Sequence, residues 1–223
     1  MTQLMDIYHR LLNAYGPQGW WPGESRFEMI AGAILTQAAA WRNVELALAN
    51  LKAAGIDDWP AVHDMEIDAL AELVRPSGYY NAKARKLKAF AAHVCQDYDG
   101  NLDAMFAADT ATLRRELLGI HGIGPETADD ILVYAAEKPS FVIDAYTIRI
   151  MRRVGLTPEG KDDYAGWQAM FHAGVPEDVQ VYNEYHALLD RHHKEACTKN
   201  APRCSECCLR DVCATGQASV AVE

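Results

Sequence analysis

The stretch from 119 to 132, GIHGIGPETADDIL, decides the expected fold of this chain. Gly122 and Gly124 permit positive φ and a close approach of the backbone, and the helical pattern before them ends near Leu118. Pro125 suits the first turn of a new helix, where its missing N–H costs nothing. The stretch therefore predicts a helix, a tight hairpin and a second helix. Free N–H groups there would bind one phosphate, although such turns also serve as plain helix connectors.

Apolar residues recur at helical spacing in almost every segment outward from this hairpin. Glycines mark the ends of several of these segments, for example at Gly55, Gly100 and Gly155. We therefore predict an all-α fold with about ten helices. The one plausible strand, SFVID at 140–144, is too short to need a sheet.

The composition of the 223 residues limits the classes of protein to which the chain can belong. Half of the residues are hydrophobic, which is enough for one large domain or two small ones with real cores. The longest apolar runs are short and broken by charge, which argues against a transmembrane helix. Residues 1–16 have the pattern of an amphipathic helix and not of a signal peptide, so we expect a cytoplasmic protein.

The net charge of −10 would, taken alone, argue against a nucleic-acid partner. Binding depends on local charge, however, and a phosphate site that is built from backbone N–H groups needs few lysines. The acidic composition therefore leaves DNA binding open.

The cysteines are distributed unevenly, with five of the six close to the C-terminus. Cytosolic thiols are kept reduced, so such a group indicates metal binding and not disulfides. Four of the cysteines have the spacing x6, x2 and x5, namely Cys197, Cys204, Cys207 and Cys213. Their thiolates could hold zinc or an iron–sulfur cluster, and ligand chemistry alone does not choose between the two.

The hairpin resembles the helix-hairpin-helix of the base-excision DNA glycosylases, in the endonuclease III branch of the HhH-GPD superfamily. The resemblance extends from about residue 20 to 213. It implies that Asp144, in FVIDAYTIRIMRRVG, is the family's essential aspartate. Asp144 is also a good N-cap for a helix that begins at Ala145, and the two roles are compatible. The cysteine spacing resembles the [4Fe–4S] loop of endonuclease III, so the resemblance favours that cluster over zinc, with Cys208 as a bystander.

One position departs from the bifunctional members of this family, which carry a lysine just before Thr127 and Ala128. That lysine attacks the sugar and forms a Schiff base, but Glu126 stands here and cannot do so. We therefore expect a monofunctional glycosylase, in which water attacks and Asp144 stabilises the oxocarbenium-like sugar or activates the water. Alternatively, Glu126 is a surface residue in the first turn of the helix, where the helix dipole favours an acidic side chain.

A set of aromatic residues and a glutamine suggests the lesion pocket. Trp20 and Trp21 resemble the aromatic pocket of 3-methyladenine DNA glycosylase III and its relatives, which also use a Glu at the position of Glu126. Methylated purines are cationic, so electron-rich rings and a carboxylate suit them. The tryptophan pair could instead fill a core. By resemblance, Gln37 fills the gap that a flipped base leaves, and Trp41 lines the pocket, wedges the DNA or belongs to the core.

The resemblance also implies an architecture and further DNA contacts. We expect two helical lobes beside a DNA-binding cleft: a six-helix barrel domain with the hairpin at 23–138, and a discontinuous [4Fe–4S] domain at 1–22 and 139–223. Asp144 and Glu126 are expected to flank the flipped base. The expected DNA-contacting residues are Gly122, Ile123, Gly124, Thr127, Lys83 and Lys194. The expected partner is double-stranded DNA with a damaged base, bound by a nucleoid-associated monomer.

Two other functions fit the same residues. One keeps the fold but changes the lesion to uracil, mismatched thymine or an oxidised pyrimidine, with or without abasic-site lyase activity. A lyase would need another lysine, such as Lys194, to reach the sugar. The other is a non-enzymatic iron–sulfur protein that binds DNA.

Overall fold

The computed structural model describes residues 2–21 and 23–220, and over these residues it contains helices and no β-strand. The predicted all-α fold is confirmed. Residues 1, 22 and 221–223, which belong to the predicted domain ranges, lie outside the described residues. The segment 140–144 is part of an irregular connection. No helix in the described ranges is long and apolar enough to cross a membrane.

The chain divides into two compact units. The first unit combines Met1–Trp21 with Pro139–Glu223, and the second is Pro22–Lys138. Each unit has its own buried apolar residues, which is what a chain of this length needs to stabilise two small domains.

The second unit contains eight α-helices over its described residues, more than the sequence pattern separates because several are only one or two turns long. Their bounds are α2 Arg26–Leu35, α3 Trp41–Ala53, α4 Trp59–Asp64, α5 Ile67–Leu73, α6 Tyr80–Tyr98, α7 Leu102–Phe106, α8 Thr110–Gly119 and α9 Pro125–Asp130. The last helix continues as a π-helical turn over Ile131–Ala135.

The core of the second unit forms around α6, its longest helix. Trp59 lies against Phe90 with ring centroids 4.4 Å apart and against Phe27 at 5.0 Å, and all three side chains are buried. Side chains accept hydrogen bonds at several helix starts, for example Ser25 from Glu28 N–H. These caps satisfy backbone donors that a helix leaves free at its first turn.

The first unit is built from five α-helices over its described residues: α1 Gln3–Tyr15, α10 Ala145–Val154, α11 Tyr164–Gly174, α12 Val179–Glu195 and α13 Ala214–Val220. Phe141 stacks on Phe171 with centroids 4.0 Å apart, and both rings are buried. Tyr185 is also fully buried, and its hydroxyl donates to the Leu4 carbonyl at 2.8 Å. This bond joins α12 to α1, so the N-terminal helix packs into the same unit as the C-terminal half of the chain.

Candidate functional site

The hairpin joins α8 to α9 as the sequence predicts. Gly122 has φ +85°, and a Cβ there would collide with the side chain of Lys86, so the turn requires glycine. Ile123 is 5% exposed and donates its N–H to the Ile120 carbonyl at 3.1 Å, which anchors the turn. Gly124 and Pro125 are exposed, so the start of α9 is open to solvent. First-turn N–H groups of a helix attract anions, and this geometry suits a phosphate.

An ion pair fixes the angle of the two hairpin helices. Arg114 on α8 donates through Nε and Nη2 to the two carboxylate oxygens of Asp129 on α9, at 2.8 and 2.9 Å. Asp129 is fully buried, while the Arg114 side chain is 29% exposed. A bidentate pair of this kind adds geometric specificity to its energy. The hairpin is therefore held rigidly behind its exposed tip.

Gln37 contacts the hairpin directly. Its Nε2 donates to Thr127 Oγ1 at 2.9 Å and to the Gly122 carbonyl at 3.2 Å. Its Oε1 accepts a hydrogen bond from Lys86 Nζ, a residue that the sequence analysis missed. The stem of Lys86 packs against Gly122, so one lysine supports both the turn and the glutamine. Three of the predicted residues, Gln37, Gly122 and Thr127, thus form one network.

Lys83 does not have the role that the resemblance implied. Its side chain is 2% exposed, and Nζ donates to the carbonyls of Ser77 and Leu35 at 2.5 and 2.8 Å. Burial, with a smaller contribution from the charge of Lys86, lowers the pKa of Lys83 to about 8. A buried amine that is bonded to backbone carbonyls does not reach a phosphate. The expected DNA contact is therefore wrong, and Lys83 instead joins the segment before α6 to the end of α2.

Glu126 and Trp41 lie at helix starts in the second unit. Glu126 is exposed in the first turn of α9, beside the buried Thr127. Trp41 is the first residue of α3 and is partly exposed. Partial exposure is compatible with each of the roles expected for Trp41, because tryptophan is rarely buried completely even in a core.

Asp144 belongs to the first unit and caps α10, as its position in the sequence predicts. Its Oδ1 accepts from Thr147 N–H at 2.6 Å, and its Oδ2 lies 3.3 Å from His186 Nε2 on α12. The carboxyl side chain is 12% exposed. Burial opposes its ionisation, but the hydrogen bond and charge of His186 and the Thr147 N–H outweigh burial and keep the pKa of Asp144 below its usual range. The group is therefore an ionised carboxylate with a fixed orientation at neutral pH.

Trp20 and Trp21 form an aromatic pair in the same unit. Their ring centroids are 5.4 Å apart, both side chains are partly exposed, and the Trp20 ring lies 5.8 Å from the ring of His186. Glu184 on α12, another residue that the sequence analysis missed, accepts from Gln18 N–H at 2.5 Å. The structure thus places both Trp20 and Asp144 next to one histidine.

The four predicted ligand cysteines line one pocket, whose walls include Ile150, Val154 and Leu209. Cys197, Cys204, Cys207 and Cys213 form no disulfide bonds in the described part of the chain, and Cys208 is not part of the lining. Arg153 Nη1 donates to Cys197 Sγ at 3.3 Å. The described residues contain no group of three or more His, Cys, Asp or Glu that would hold a single metal ion. Four thiols around one pocket are the ligand set of either a zinc ion or an iron–sulfur cluster.

Lys194 lies on the surface of the first unit near the end of α12. Its ammonium is 2.6 Å from Asp190 Oδ2, and its side chain is 55% exposed. The Asp190 side chain is only 14% exposed, so the lysine is the solvent-exposed member of this pair. The geometry leaves Lys194 accessible to a phosphate.

Comparison with known proteins assigns the family. Residues 31–166 match the family model described as HhH-GPD superfamily base excision DNA repair protein. The protein MJ1434 of Methanocaldococcus jannaschii, which is named as a DNA repair glycosylase, is 44% identical over 212 residues, covering 94% of this chain and 95% of the relative.

Solved structures agree with this match. The H. pylori 3-methyladenine DNA glycosylase MagIII bound to 1,N6-ethenoadenine is 30% identical with a TM-score of 0.75, covering 86% of this chain and 97% of that one. A non-covalent endonuclease III–DNA complex has the same fold, with a TM-score of 0.82 at 18% identity over 99% of this chain and 100% of that one. The chain therefore belongs to the HhH-GPD superfamily of base excision DNA repair proteins and is an endonuclease III-like helix-hairpin-helix DNA glycosylase.

Proposed function

We propose that this glycosylase is monofunctional and hydrolyses the N-glycosidic bond of alkylated purines such as 3-methyladenine. The observation that carries the proposal is the pair of acids: a fixed, ionised Asp144, and Glu126 at the position where a lyase needs lysine. The family match supports glycosylase chemistry in general. The likeness to MagIII, whose structure holds a modified adenine, supports a purine lesion.

Asp144 acts on the sugar. Cleavage of the N-glycosidic bond leaves positive charge on the deoxyribose, and an ionised carboxylate stabilises that charge or accepts a proton from the attacking water. Thr147 N–H and His186 hold the two carboxylate oxygens, so little reorganisation is needed when the charge develops.

With Glu126 in place of lysine, no covalent intermediate between enzyme and sugar forms at this position. A carboxylate does not condense with the C1′ aldehyde of an abasic sugar, so no Schiff base forms there and the strand stays intact. Its negative charge at the exposed start of α9 also suits a cationic base. Both effects favour hydrolysis of an alkylated purine.

The tryptophan pair supplies the recognition of the lesion. A flat cationic base gains by stacking on an electron-rich indole, and both tryptophans are partly exposed. Extrusion of a base costs a few kcal/mol and is easiest for damaged or mispaired bases, which adds to selectivity.

The hairpin binds the DNA backbone. Its exposed tip at Gly124 and Pro125 offers N–H groups to a phosphate. Gln37, held on the hairpin by Thr127 and Lys86, is the residue that we expect to fill the gap left by the extruded base.

The cysteine pocket is the proposed site of a [4Fe–4S] cluster. Cys197, Cys204, Cys207 and Cys213 would be its ligands, and the cluster would join the coil after α12 to the helices of the first unit. We propose that the two units correspond to the barrel domain and the cluster domain expected from the sequence.

A panel of duplexes tests the substrate class. Purified protein is incubated with methylated DNA and with duplexes that carry uracil, a G·T mismatch or an oxidised pyrimidine, and the free bases are separated by chromatography. We expect 3-methyladenine to be released in preference to every pyrimidine, because only the methylated purine is a cation. Preferential release of uracil or thymine would assign the pocket to pyrimidines. Tight binding without release of any base would favour the non-enzymatic function.

A further inference from the structure

One oxygen of Asp144 is held by a residue that capping does not require. The N-cap bond uses Oδ1 and Thr147 N–H, within the helix that Asp144 begins. Oδ2 instead faces His186 Nε2, which lies 42 residues further along the chain on α12. A plain capping residue would leave this second oxygen to solvent.

The donor and the acceptor of this contact can be assigned. An ionised carboxylate only accepts, so Nε2 of His186 carries the hydrogen and donates it to Oδ2. His186 is 5% exposed, so its ring has little freedom to turn away. Two donors from different helices therefore fix the plane of the carboxylate.

The His186 ring also lies near the ring of Trp20. The Trp20 ring is tilted by 56° to it at a centroid distance of 5.8 Å. Glu184, two residues before His186, accepts from Gln18 N–H and, at 3.3 Å, from Gly19 N–H. One short segment of α12 thus holds both the tryptophan loop and the carboxylate.

We propose that His186 is a positioning residue for Asp144, which orients the carboxylate through Oδ2 and joins it to the Trp20 side of the unit. The role in catalysis rests on the proposed glycosylase function, whereas the orientation of the carboxylate does not. In this role His186 does not touch the sugar or the base. It acts by holding the charge of Asp144 in place.

Other titratable groups near Asp144 do not replace His186. His193, also on α12, feels the charge of Asp144, but burial chiefly lowers its pKa, so it is neutral at pH 7. Arg149 donates to the Cys197 carbonyl at 3.3 Å. The groups that favour the ionised form of the Asp144 carboxyl are His186 and Thr147.

Two substitutions separate positioning from packing. His186→Phe keeps an aromatic ring of similar size but removes the donor. His186→Gln keeps an N–H that can reach Oδ2 and loses the ring. The ¹³C shift of the Asp144 carboxyl, assigned with Asp144→Asn, is followed by NMR against pH in the intact holoprotein. We expect the pKa of Asp144 to rise in the Phe variant and to rise less in the Gln variant, because a donor to the ionised form is lost only in the first.

Single-turnover base release from methylated DNA gives the catalytic readout, and binding to a duplex with a tetrahydrofuran abasic-site analogue gives the control. We expect the Phe variant to be about tenfold to a hundredfold slower with unchanged DNA affinity, and the Gln variant to recover much of the rate. The acid limb of its pH–rate profile should move to higher pH with the pKa of Asp144.

Several results would overturn the inference: an Asp144 titration that is the same in the Phe variant and the wild type, a Phe variant as fast as the wild type, or equal losses of rate in both variants with weakened DNA binding. If the wild type releases no base but the titration responds as expected, the proposed function fails and the positioning of Asp144 stands.

Discussion

The Asp144→Asn protein is expected to release base roughly 10²–10⁴ times more slowly than the wild type, because the amide carries no charge to stabilise the sugar cation and accepts no proton from water. Single-turnover assays on methylated DNA measure the rate. DNA affinity, measured on a tetrahydrofuran duplex, should be unchanged or tighter, since the substitution only removes a negative charge. If Asp144 is a catalytic carboxylate, the variant should lose rate in the chemical step and keep its affinity for DNA.

The same position offers its own control for folding. Asn caps a helix as well as Asp, so α10 keeps its bond from Thr147 N–H and the protein should melt near the wild-type temperature. Asp144→Ala removes the cap and should cost about 0.5–2 kcal/mol of unfolding free energy as well. Undiminished base release by the Asn variant would show that Asp144 is a capping residue and no more.

Replacement of Cys204 by Ser is expected to remove the iron from the protein. Serine is a hard ligand that does not replace a soft thiolate, and the other three cysteines of the pocket then hold the cluster incompletely. Iron per chain and visible absorbance of freshly purified protein measure the loss. We also expect the unfolding free energy to fall by roughly 4–5 kcal/mol, because the loss of a metal group is among the largest single effects.

Cys208 and Cys95 are the matched controls. Neither residue lines the pocket, although Cys208 is adjacent in sequence to a predicted ligand. Cys208→Ser and Cys95→Ser should keep full iron and full colour. Iron lost equally from all three variants, or zinc instead of iron in the wild type, would contradict the ligand assignment.

The fold was predictable because its signals are local. Helical spacing of apolar residues and the glycines and proline of the hairpin act within a few residues, and the structure has helices and a turn there. The cap at Asp144 is equally local, since an N-cap bonds an N–H three residues ahead. The sequence pattern did not separate short helices such as α4 and α7. A helix of one or two turns is too short to show a repeat of apolar residues.

Which lysines are buried could not be predicted from the sequence. Lys83 and Lys86 are three residues apart on α6, and both have the same chemistry. Which of them is buried depends on the carbonyls of Leu35 and Ser77 that surround Lys83. A sequence pattern treats a lysine as exposed, and only the packing of other elements reveals a buried one.

His186 and Glu184 were missed for a similar reason. Each is a single polar residue in an amphipathic helix, and nothing in α12 itself indicates a partner. Their partners, Asp144 and the backbone of 18–19, lie far away in sequence. Positioning residues of this kind become visible only when the tertiary contacts are known.

The central claim is that Glu126 in place of lysine makes this chain a monofunctional glycosylase for alkylated purines. The most direct test counts released bases and broken strands separately in one reaction with methylated duplex DNA, with borohydride added to a parallel sample. We predict free 3-methyladenine, intact strands until alkali is added, and no protein–DNA adduct. Strand breaks without alkali, or an adduct trapped by borohydride, would contradict this claim and would mean that another amine attacks the sugar.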